Sequence, residues 1–479
     1  MQIIRMIGSL ALVCGIVTGA FATDTSITFS GHTFVNKGLI AIGRLPSNLR
    51  DKFGETLGSG SALAVEPESW RRIGEAYEGS FLLLPDRGYN AAGTTNYRPR
   101  VNRITLRVTP GTGIMSTVSD TIMLTDAMEA PLTGLDPESD GLRKASGGFP
   151  DLPQGTNGRV ALDSEGIVPL ADGTFFISDE YGPYIYRFSG GGKMLSVIQP
   201  PVAFLPVRKG TLHFGSNNPG PGGIAPVPPN PDTGRQNNQG FEGVTMTPDG
   251  KKLIALLQSA TRQDGGDAPE SRHNTRALVY DITNQTQPFL RAEYVVPLPR
   301  FVNASGATVV AAQSEFFALS DTLFLMIARD SGNGYGQKSA KSLYRSIELV
   351  DIGQATNIAG SAFDSVKPVA PKGVLDSSIK PADVRPFIDI NDAAELSKFG
   401  LHNGEPNDRN NLSEKWEGLT LVSALDPDHP RDFFLLVVND NDFLTTDGFQ
   451  VGAPYKSENA ADVDTMFLAY RVTIPALQR

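Results

Sequence analysis

Residues 164–182, SEGIVPLADGTFFISDEYG, contain the pattern on which the fold prediction rests. A Ser-Glu-Gly triplet precedes an apolar run, an Asp-Gly turn follows, and a second apolar run ends in Asp179-Glu180. Apolar runs of about four to eight residues bounded by Gly and Asp are typical of β-strands joined by a tight turn. The stretch therefore predicts a strand pair with acidic residues at one shared end.

The same pattern recurs along the chain, three times in full and once in degenerate form. Each copy has a triplet, an apolar run and a polar end: Phe241-Glu242-Gly243 with Leu253–Leu257 and Gln258; Ser314-Glu315-Phe316 with Leu323–Ala328 and Arg329-Asp330; Trp416-Glu417-Gly418 with Phe433–Val438 and Asn439-Asp440; and the degenerate Ser59-Gly60-Ser61-Ala62 with Phe81–Leu84 and Pro85-Asp86-Arg87-Gly88-Tyr89. A repeated strand unit favours a radially repeated sheet. We therefore predict an all-β protein with a single β-propeller-like domain of six blades, seven being the alternative, and long loop insertions.

The sixth blade in this prediction comes from the two ends of the chain. The candidate strands Ile27–Val35 and Met466–Ile474 are expected to pair in a composite blade that closes the ring. The segment from Gly353 to Val384 has little periodicity and predicts a surface insertion. A short helix, Asn391–Phe399, is predicted to follow it, with Asn391 as its N-cap.

Residues 1–22 have the features of a secretory signal peptide, which leaves residues 23–479 as the propeller domain. Arg5 provides the positive start, a largely apolar stretch follows, and Ala20-Phe21-Ala22 fits the cleavage site. The alternatives are a buried N-terminal strand or a membrane anchor. We expect a secreted, extracellular monomer with no membrane association. Three sequons, beginning at Asn284, Asn303 and Asn411, are candidate sites for N-glycans.

Composition excludes several kinds of chemistry. Cys14 is the only cysteine and lies within the predicted signal peptide, so the mature chain has no disulfide, thiol nucleophile or thiolate-bound zinc. The net charge of −10 argues against nucleic acid as a partner. The sequence also lacks the G-x-S-x-G, H-E-x-x-H and P-loop motifs.

The repeated acids are the candidate metal ligands. The innermost strand of each propeller blade runs along the central channel, so the glutamates of the four triplets are expected to converge. Clustered carboxylates repel one another unless a cation compensates, and oxygen ligands without His or Cys select a hard cation, here Ca²⁺. The alternative is that each Glu-Gly only forms turn hydrogen bonds. The predicted ligands are Glu165, Glu242, Glu315, Glu417, Asp86, Asp330 and Asp440.

The polar ends of the second strands predict a further ring of functional residues. We predict that Asp179 or Glu180 acts as the catalytic general base. Guanidinium groups suit contacts with phosphate or carboxylate. The predicted substrate-binding residues are Arg87, Arg98, Arg100 and Arg329. The alternative for these arginines is a role in salt bridges between blades.

These motifs together resemble a known family. The resemblance rests on Pro85-Asp86-Arg87-Gly88-Tyr89-Asn90, Asp163-Ser164-Glu165-Gly166-Ile167, Ile177-Ser178-Asp179-Glu180-Tyr181-Gly182, Gly240-Phe241-Glu242-Gly243 and Trp416-Glu417-Gly418. The chain is similar over about Lys37 to Ile474 to the phytase-like family described as having esterase-like activity. Membership implies a secreted, acid-rich propeller with phosphoesterase or esterase activity. The Asp-Asp-Pro-Ala and Asn-Asn-x-Asp-x-Arg segments of calcium-dependent propeller phytases are absent, which argues against phytate as the substrate.

Three functions remain open at this point. The first is a secreted, metal-dependent hydrolase that acts on a small-molecule phosphate ester or other ester. The second is a non-catalytic propeller that binds a carbohydrate or a protein. The third is a calcium-dependent lactonase, which rests on analogy with other propellers.

Overall fold

The computed structural model of the protein describes residues 24–90, 93–138, 142–365 and 367–477. Within these ranges almost all regular structure is β-strand, and only one short α-helix is present, which confirms the predicted all-β class. The predicted signal peptide, residues 1–22, lies outside the described residues. No helix in the described ranges is long and apolar enough to cross a membrane.

The chain enters the fold through two strands and then forms a first sheet, termed blade 1. The entering strands are β1 (Thr25–Phe29) and β2 (His32–Leu45). The next strands are β3 (Ala62–Val65), β4 (Arg71–Ile73), β5 (Ala76–Leu84), β6 (Arg100–Thr109) and β7 (Gly113–Met123). Blade 1 has the order β3-β5-β6-β7, and β4 pairs with β5 at its side.

Blades 2, 3 and 4 are four-stranded antiparallel meanders separated by small two-stranded excursions. In chain order the strands are β8 (Leu142–Arg143), β9 (Leu152–Pro153), β10 (Ser164–Pro169), β11 (Phe175–Asp179), β12 (Ile185–Phe188), β13 (Met194–Ile198), β14 (Val207–Arg208), β15 (Thr211–Leu212), β16 (Phe241–Met246), β17 (Lys252–Leu257), β18 (Asn274–Asp281), β19 (Phe289–Pro297), β20 (Arg300–Val302), β21 (Thr308–Val310), β22 (Ala312–Ala318), β23 (Leu323–Arg329), β24 (Arg345–Asp351) and β25 (Asp383–Asp389). Blade 2 is β10-β11-β12-β13, blade 3 is β16-β17-β18-β19, and blade 4 is β22-β23-β24-β25.

Blade 5 is the composite blade that closes the ring. The remaining elements are α1 (Ala393–Ser397), β26 (Lys415–Ser423), β27 (Asp432–Asp440), β28 (Gly448–Gln450), β29 (Ala453–Tyr455) and β30 (Thr465–Thr473). The order of blade 5 is β26-β27-β30-β2, so its outermost strand comes from the beginning of the described chain. β2 and β30 are antiparallel, with Ile42 opposite Leu468. Closure by the two chain ends is therefore confirmed.

The described strands form five blades, which corrects the predicted count of six. The first strands of the blades contact one another in cyclic order: β3 with β10, β10 with β16, β16 with β22, β22 with β26, and β26 with β3. The prediction counted the composite blade in addition to the last repeat. In the structure the two chain ends instead complete that last repeat, which supplies only β26 and β27.

Apolar cores between the blades give the same count. Five large clusters of buried side chains each join two neighbouring blades: one lies between blades 1 and 2, and the others follow around the ring to the pair 5 and 1. Both faces of each blade are therefore covered, which explains why β17, β23 and β27 are nearly continuous apolar runs.

Two local predictions need refinement. The candidate strand Ile27–Val35 is a hairpin in which β1 and β2 meet at Ser30-Gly31, where both residues have positive φ. The predicted helix near residue 391 is present as α1, but its N-cap is Asp392, whose carboxylate accepts hydrogen bonds from the amides of Ala394 and Glu395. Asn391 lies one residue too early to reach those amides.

Candidate active site at the channel mouth

Bulges near the starts of the inner strands place the repeated acids at the channel. Strands β10, β16, β22 and β26 each show a register shift against their partner within their first four residues. A bulge leaves a residue unpaired and changes the direction of its side chain. In each of these strands the bulge begins directly after a paired residue. The first bulge residue is Glu165 in β10, Glu242 in β16, Ser314 in β22 and Glu417 in β26.

The glycine that follows three of these acids allows the inner strands to approach closely. A Cβ atom at Gly166 would lie 2.7 Å from the carbonyl oxygen of Glu242, and one at Gly418 would lie 2.9 Å from the amide nitrogen of Leu63. Any side chain there would push neighbouring blades apart. The Glu-Gly pair thus combines an acid at the channel with the backbone contact that closes the ring.

These strand ends bring together a set of buried carboxyl groups, termed the acidic cluster. Two groups of three acids each have carboxylate oxygens that lie within 4.8 Å of one another. The first group is Asp163, Glu165 and Glu180, and the second is Asp86, Asp440 and Asp442. Glu242 and Glu417 belong to the cluster because their charges act on Glu165. Seven of the eight side chains are buried, and Asp442 lies at the more accessible edge.

Three cations lie among these acids. Arg87 donates to Asp163 at 2.5 Å and contacts Asn238. Arg329 contacts Glu417 and donates to Ser314 Oγ at 3.0 Å. Lys415 Nζ lies 2.7 Å from Asp442 and 3.7 Å from Asp86. The acids outnumber the cations, so the cluster retains a negative excess when all groups are ionised.

Burial and mutual repulsion raise the pKa values of these acids. Burial raises the pKa of Glu165 well above its ordinary value, and the charges of Glu242 and Asp163 add to this. Burial, followed by repulsion from Asp163, raises the pKa of Glu180 to about 8. Burial raises the pKa of Asp440 to about 7. Groups with perturbed pKa values concentrated in one place are characteristic of functional sites.

The negative charges of the cluster favour the protonated form of Lys415. Burial would lower the pKa of its ammonium group, but the carboxylates of Asp442, Glu417 and Asp86 raise it well above its ordinary value. Lys415 therefore stays charged and partly neutralises the second group of acids. The first group, around Glu165, has only Arg87 in direct contact.

Several oxygens of the cluster have no hydrogen-bond partner. Asp163 Oδ1, Glu242 Oε2 and Glu417 Oε2 are buried and unpartnered among the described residues. An unsatisfied buried polar atom costs free energy and calls for an explanation such as a bound ion. Carboxylate oxygens at this density are the ligands that hard divalent cations prefer. The residues present therefore fit a cation such as Ca²⁺.

Asp179 lies beside the cluster but has a structural environment. Its carboxylate accepts hydrogen bonds from the amides of Asp163, Tyr181 and Gly182 at 2.7 to 3.0 Å and from the hydroxyl of Tyr186 at 3.2 Å. Burial nevertheless raises its pKa to about 7. These donors fix the loop that carries Glu180. Of the two predicted general bases, only Glu180 faces the other acids.

The structure does not bring Glu315 and Asp330 into the cluster. Ser314, not Glu315, occupies the bulge position of β22, so Glu315 is displaced by one residue, and its carboxylate accepts a hydrogen bond from the Phe316 amide at 2.9 Å. Asp330 accepts hydrogen bonds from Ser342 Oγ and the Leu343 amide at 2.6 and 2.7 Å, which order a loop. Neither residue belongs to the two groups of acids whose oxygens lie close enough to share a cation.

Arg98 and Arg100 also lie apart from the cluster. Arg100 is fully buried, where it pairs with Asp51 and Glu55 and stacks over the ring of Tyr97 at 4.4 Å. Arg98 is exposed and lines a separate cavity of about 420 Å³. Of the four arginines predicted to bind substrate, the structure therefore places Arg87 and Arg329 in the site.

The sequence pattern missed two acids of the cluster and one of the cations that contact it. Asp163 directly precedes the first triplet, Lys415 directly precedes the last one, and Asp442 follows Asp440 by two residues. Charged residues flanking the triplets were the available signal. The prediction considered only the triplets and the residues directly after the second strands, so these neighbours were left out of the ligand set.

The sequons differ in accessibility. Asn284 is exposed and Asn303 is half-buried in a hairpin loop. Asn411 is 1% exposed, and its amide nitrogen donates to the carbonyl oxygen of Ala340 at 2.8 Å. A glycan on Asn411 would require this buried contact to break, which corrects the prediction for that site.

Comparisons with known proteins show a clear sequence family and only a weak likeness to solved structures. The sequence model of the family described as "Phytase-like: Esterase-like activity of phytase" matches residues 57–443. A protein of Arthroderma benhamiae, described as an uncharacterized secreted protein, is 40% identical over 463 residues, which covers 87% of this chain and 89% of the relative.

Among solved structures, virginiamycin B lyase from Staphylococcus aureus is 11% identical, with 91% of this chain and 99% of that chain covered and a TM-score of 0.28. The WD40 domain of Toxoplasma gondii coronin is 9% identical, with 92% and 88% covered and a TM-score of 0.26. These scores are low, and no functional inference rests on them.

Proposed function

Because the chain belongs to the phytase-like family with esterase-like activity, we propose that it is a secreted hydrolase whose acidic cluster cleaves a phosphate ester or another ester. The family suggests a hydrolase, and the relative from Arthroderma benhamiae is described as secreted. The single observation that carries the proposal is that Asp163 and Glu165, at the start of β10, meet Glu180, directly after the end of β11, with their oxygens within 4.8 Å.

The first group of acids is the proposed cation site. Asp163 and Glu165 would hold Ca²⁺, and the unpartnered oxygens of Glu242 and Glu417, whose charges act on Glu165, are candidate additional donors. When bound, such a cation polarises the ester and makes a water molecule more acidic. Its positive charge also removes the repulsion that raises the pKa of Glu165.

Arg87 and Arg329 are proposed to hold the anionic part of the substrate. Both guanidinium groups are buried at the cluster, and Arg87 Nε has no hydrogen-bond partner. A planar guanidinium binds phosphate or carboxylate through paired N–H donors. The Nε atom of Arg87 is therefore the donor that would bind a substrate oxygen. The Nη1 atom keeps its hydrogen bond to Asp163.

Glu180 is proposed to take the proton from the attacking water. Its carboxylate accepts one hydrogen bond from the described residues, from the Gly240 amide at 3.2 Å, so it has acceptor capacity left. The raised pKa of about 8 means that Glu180 holds a proton at neutral pH in the cation-free protein. A nearby cation lowers this pKa and converts Glu180 into a base.

An ester panel with and without cation tests the proposal. Purified protein is assayed on 4-nitrophenyl phosphate, 4-nitrophenyl acetate and a set of lactones, in buffer containing either EDTA or Ca²⁺. Hydrolysis of the phosphate or the linear ester only with Ca²⁺ supports the proposed function. Selective hydrolysis of lactones would assign a lactonase instead. Full activity in EDTA contradicts the cation site, and no turnover of any ester contradicts the hydrolase.

A further inference from the structure

A second cavity lies beside the acidic cluster and is not used by the proposed chemistry. Its volume is about 440 Å³, within the range of roughly 300–1,000 Å³ that is common for small-molecule sites. Phe301, Val309, Val310 and Leu343 give it an apolar wall. The loop containing Asn303 also lines it.

Arg272 gives this cavity an unpaired positive charge. Its Nε atom is buried and has no hydrogen-bond partner, and no acid among the described residues forms an ion pair with it. Burial lowers the pKa of its guanidinium, and the charge of Glu270 only partly offsets this effect. The side chain as a whole is half-buried, and a partly desolvated guanidinium without an acidic partner favours an anionic ligand group in the cavity.

A neighbouring arginine shows how the same fold satisfies such a charge. Arg276 is fully buried four residues later, and it binds Asp264 at 2.6 Å and Glu293 at 2.9 Å. These two carboxylates compensate the positive charge of Arg276 within the protein. Arg272 forms no ion pair with an acid of the described residues, and the cavity occupies the space beside it. Asp330 is the one acid that lines this cavity, and its carboxylate accepts hydrogen bonds from the Asn333 and Ser342 side chains and the Leu343 amide.

The cavity adjoins the acidic cluster through a shared side chain. Arg329 lines the cavity and also contacts Glu417 within the cluster. A molecule that reaches from the cluster past Arg329 therefore enters a space with an apolar wall and a second arginine. This continuity distinguishes it from the cavity of about 420 Å³ around Arg98, none of whose lining residues belongs to the cluster.

We propose that this cavity is the specificity subsite, which binds an aromatic or branched aliphatic group of the substrate together with an anionic substituent held by Arg272. The proposal rests on the proposed function and narrows its substrate class to anionic esters with an apolar part. The apolar wall contributes to binding affinity because it buries the hydrocarbon part of the substrate. Arg272 favours substrates that carry a negative charge there. Binding energy from such a remote group lowers KM more than it changes kcat.

Fluorescence titrations test the subsite without relying on catalysis. The probes are 2-naphthalenesulfonate and the neutral 2-naphthalenemethanol, added to full-length protein from a host that does not glycosylate Asn303. Arg272→Met is expected to weaken binding of the sulfonate about tenfold, the value of one charge-assisted hydrogen bond. Binding of the alcohol should change less than about threefold in the same variant.

Two further variants serve as controls. Arg98→Met removes an arginine from a cavity of similar size and should leave sulfonate binding unchanged. Val309→Trp fills the cavity while retaining Arg272 and should weaken both probes, which keeps the test valid if Arg272→Met fails to fold. Unaltered binding in Arg272→Met and Val309→Trp overturns the subsite, as does a loss that occurs only in Arg98→Met.

Kinetics separate this proposal from the proposed function. On an active anionic aryl ester, Arg272→Met should raise KM about tenfold while kcat stays within about threefold. Glu165→Gln should lose kcat and keep probe binding. If no ester is hydrolysed but sulfonate binding still depends on Arg272, the subsite stands and the hydrolase fails. If hydrolysis occurs and Arg272→Met changes neither KM nor binding, the subsite fails alone.

Discussion

The two ends of the central channel are built from the same five inner strands and differ completely in chemistry. At the start of the strands the acidic cluster gathers carboxylates with unpartnered oxygens. A few residues further along, the same strands line a cavity of about 170 Å³ that is almost entirely apolar. Glu315 is the one charged residue among the described residues that line it.

Glu315 shows that burial alone does not make a functional carboxylate. Burial raises the pKa of Glu315 well above its ordinary value, as it does for Glu165. The Glu315 carboxylate, however, receives hydrogen bonds from the amides of Phe316 and Val244 and feels only Glu417 as a neighbouring charge. The acids at the strand starts have several charged neighbours and unsatisfied oxygens. The excess of unsatisfied negative charge, rather than burial, distinguishes the end of the channel that we propose to be functional.

The largest expected effect is on catalysis at the acidic end. Glu165→Gln should lower kcat for the best ester by at least about a hundredfold, because it removes a proposed cation ligand and its charge. Glu315→Gln is the matched control, since it makes the same change at the other end, and it should keep kcat within about threefold. Steady-state kinetics at saturating Ca²⁺ measure both. Equal losses in the two variants would break the distinction between the ends.

Cation removal should produce the next largest effect. Protein dialysed against EDTA should melt about 3 °C below protein with free Ca²⁺ at about one hundred times its Kd, because only the folded state binds the ion. Differential scanning fluorimetry measures the shift. Glu315→Gln should retain it and Glu165→Gln should lose most of it. An identical melting temperature with and without Ca²⁺ in the parent protein contradicts the cation site.

The pH dependence of stability should separate cation-free from cation-loaded protein. The pKa values of Asp440 and Glu180 are raised by burial to about 7 and about 8, so the folded state binds more protons than the unfolded chain above about pH 4. Stability of the cation-free protein should therefore fall as pH rises from about 4 to about 8, by several degrees in melting temperature. Ca²⁺ should flatten the curve. Stability that rises with pH in EDTA would be the opposite result.

The smallest effect is expected for neutralisation at the apolar end. Gln at position 315 can still accept the two amide hydrogen bonds through its side-chain oxygen, and Glu315 is favoured in its neutral form by burial. Glu315→Gln should therefore change the free energy of unfolding by less than about 1 kcal/mol. Urea denaturation measures this change. A loss as large as that of a core cavity mutation would show that the charge of Glu315 supports the channel.

The sequence predicted much of the architecture because the repeat is visible residue by residue. The alternation of triplets and apolar runs gave the all-β class, the propeller-like arrangement and closure by the two chain ends. It could not give the blade count, because the last repeat and the chain ends look like separate units until β2 pairs with β30. Six of the predicted acids, including Glu165 and Glu180, lie in the acidic cluster, and the predicted Arg87 and Arg329 contact it.

Strand register and long-range pairing determined where the remaining predicted residues lie. In the sequence, Ser314-Glu315-Phe316 looks like the other triplets, and only the bulge after Gln313 shows that the serine takes the position of the acid. Arg100 likewise looked available until its partner Asp51 was located 49 residues earlier in the chain. Pairing across long sequence separations cannot be inferred from local pattern.

By itself the amino-acid sequence determined the strand repeat, the presence of a single cysteine, Cys14, and the identity of the acids that recur at strand starts. These properties are local, since apolar periodicity and residue type act over a few neighbouring positions. Only the tertiary structure decided which acids meet, which oxygens remain unsatisfied and that Arg272 lines a cavity without forming an ion pair with any acid of the described residues. Those outcomes depend on bulges and on packing between blades, where one residue of register reverses the direction of a side chain.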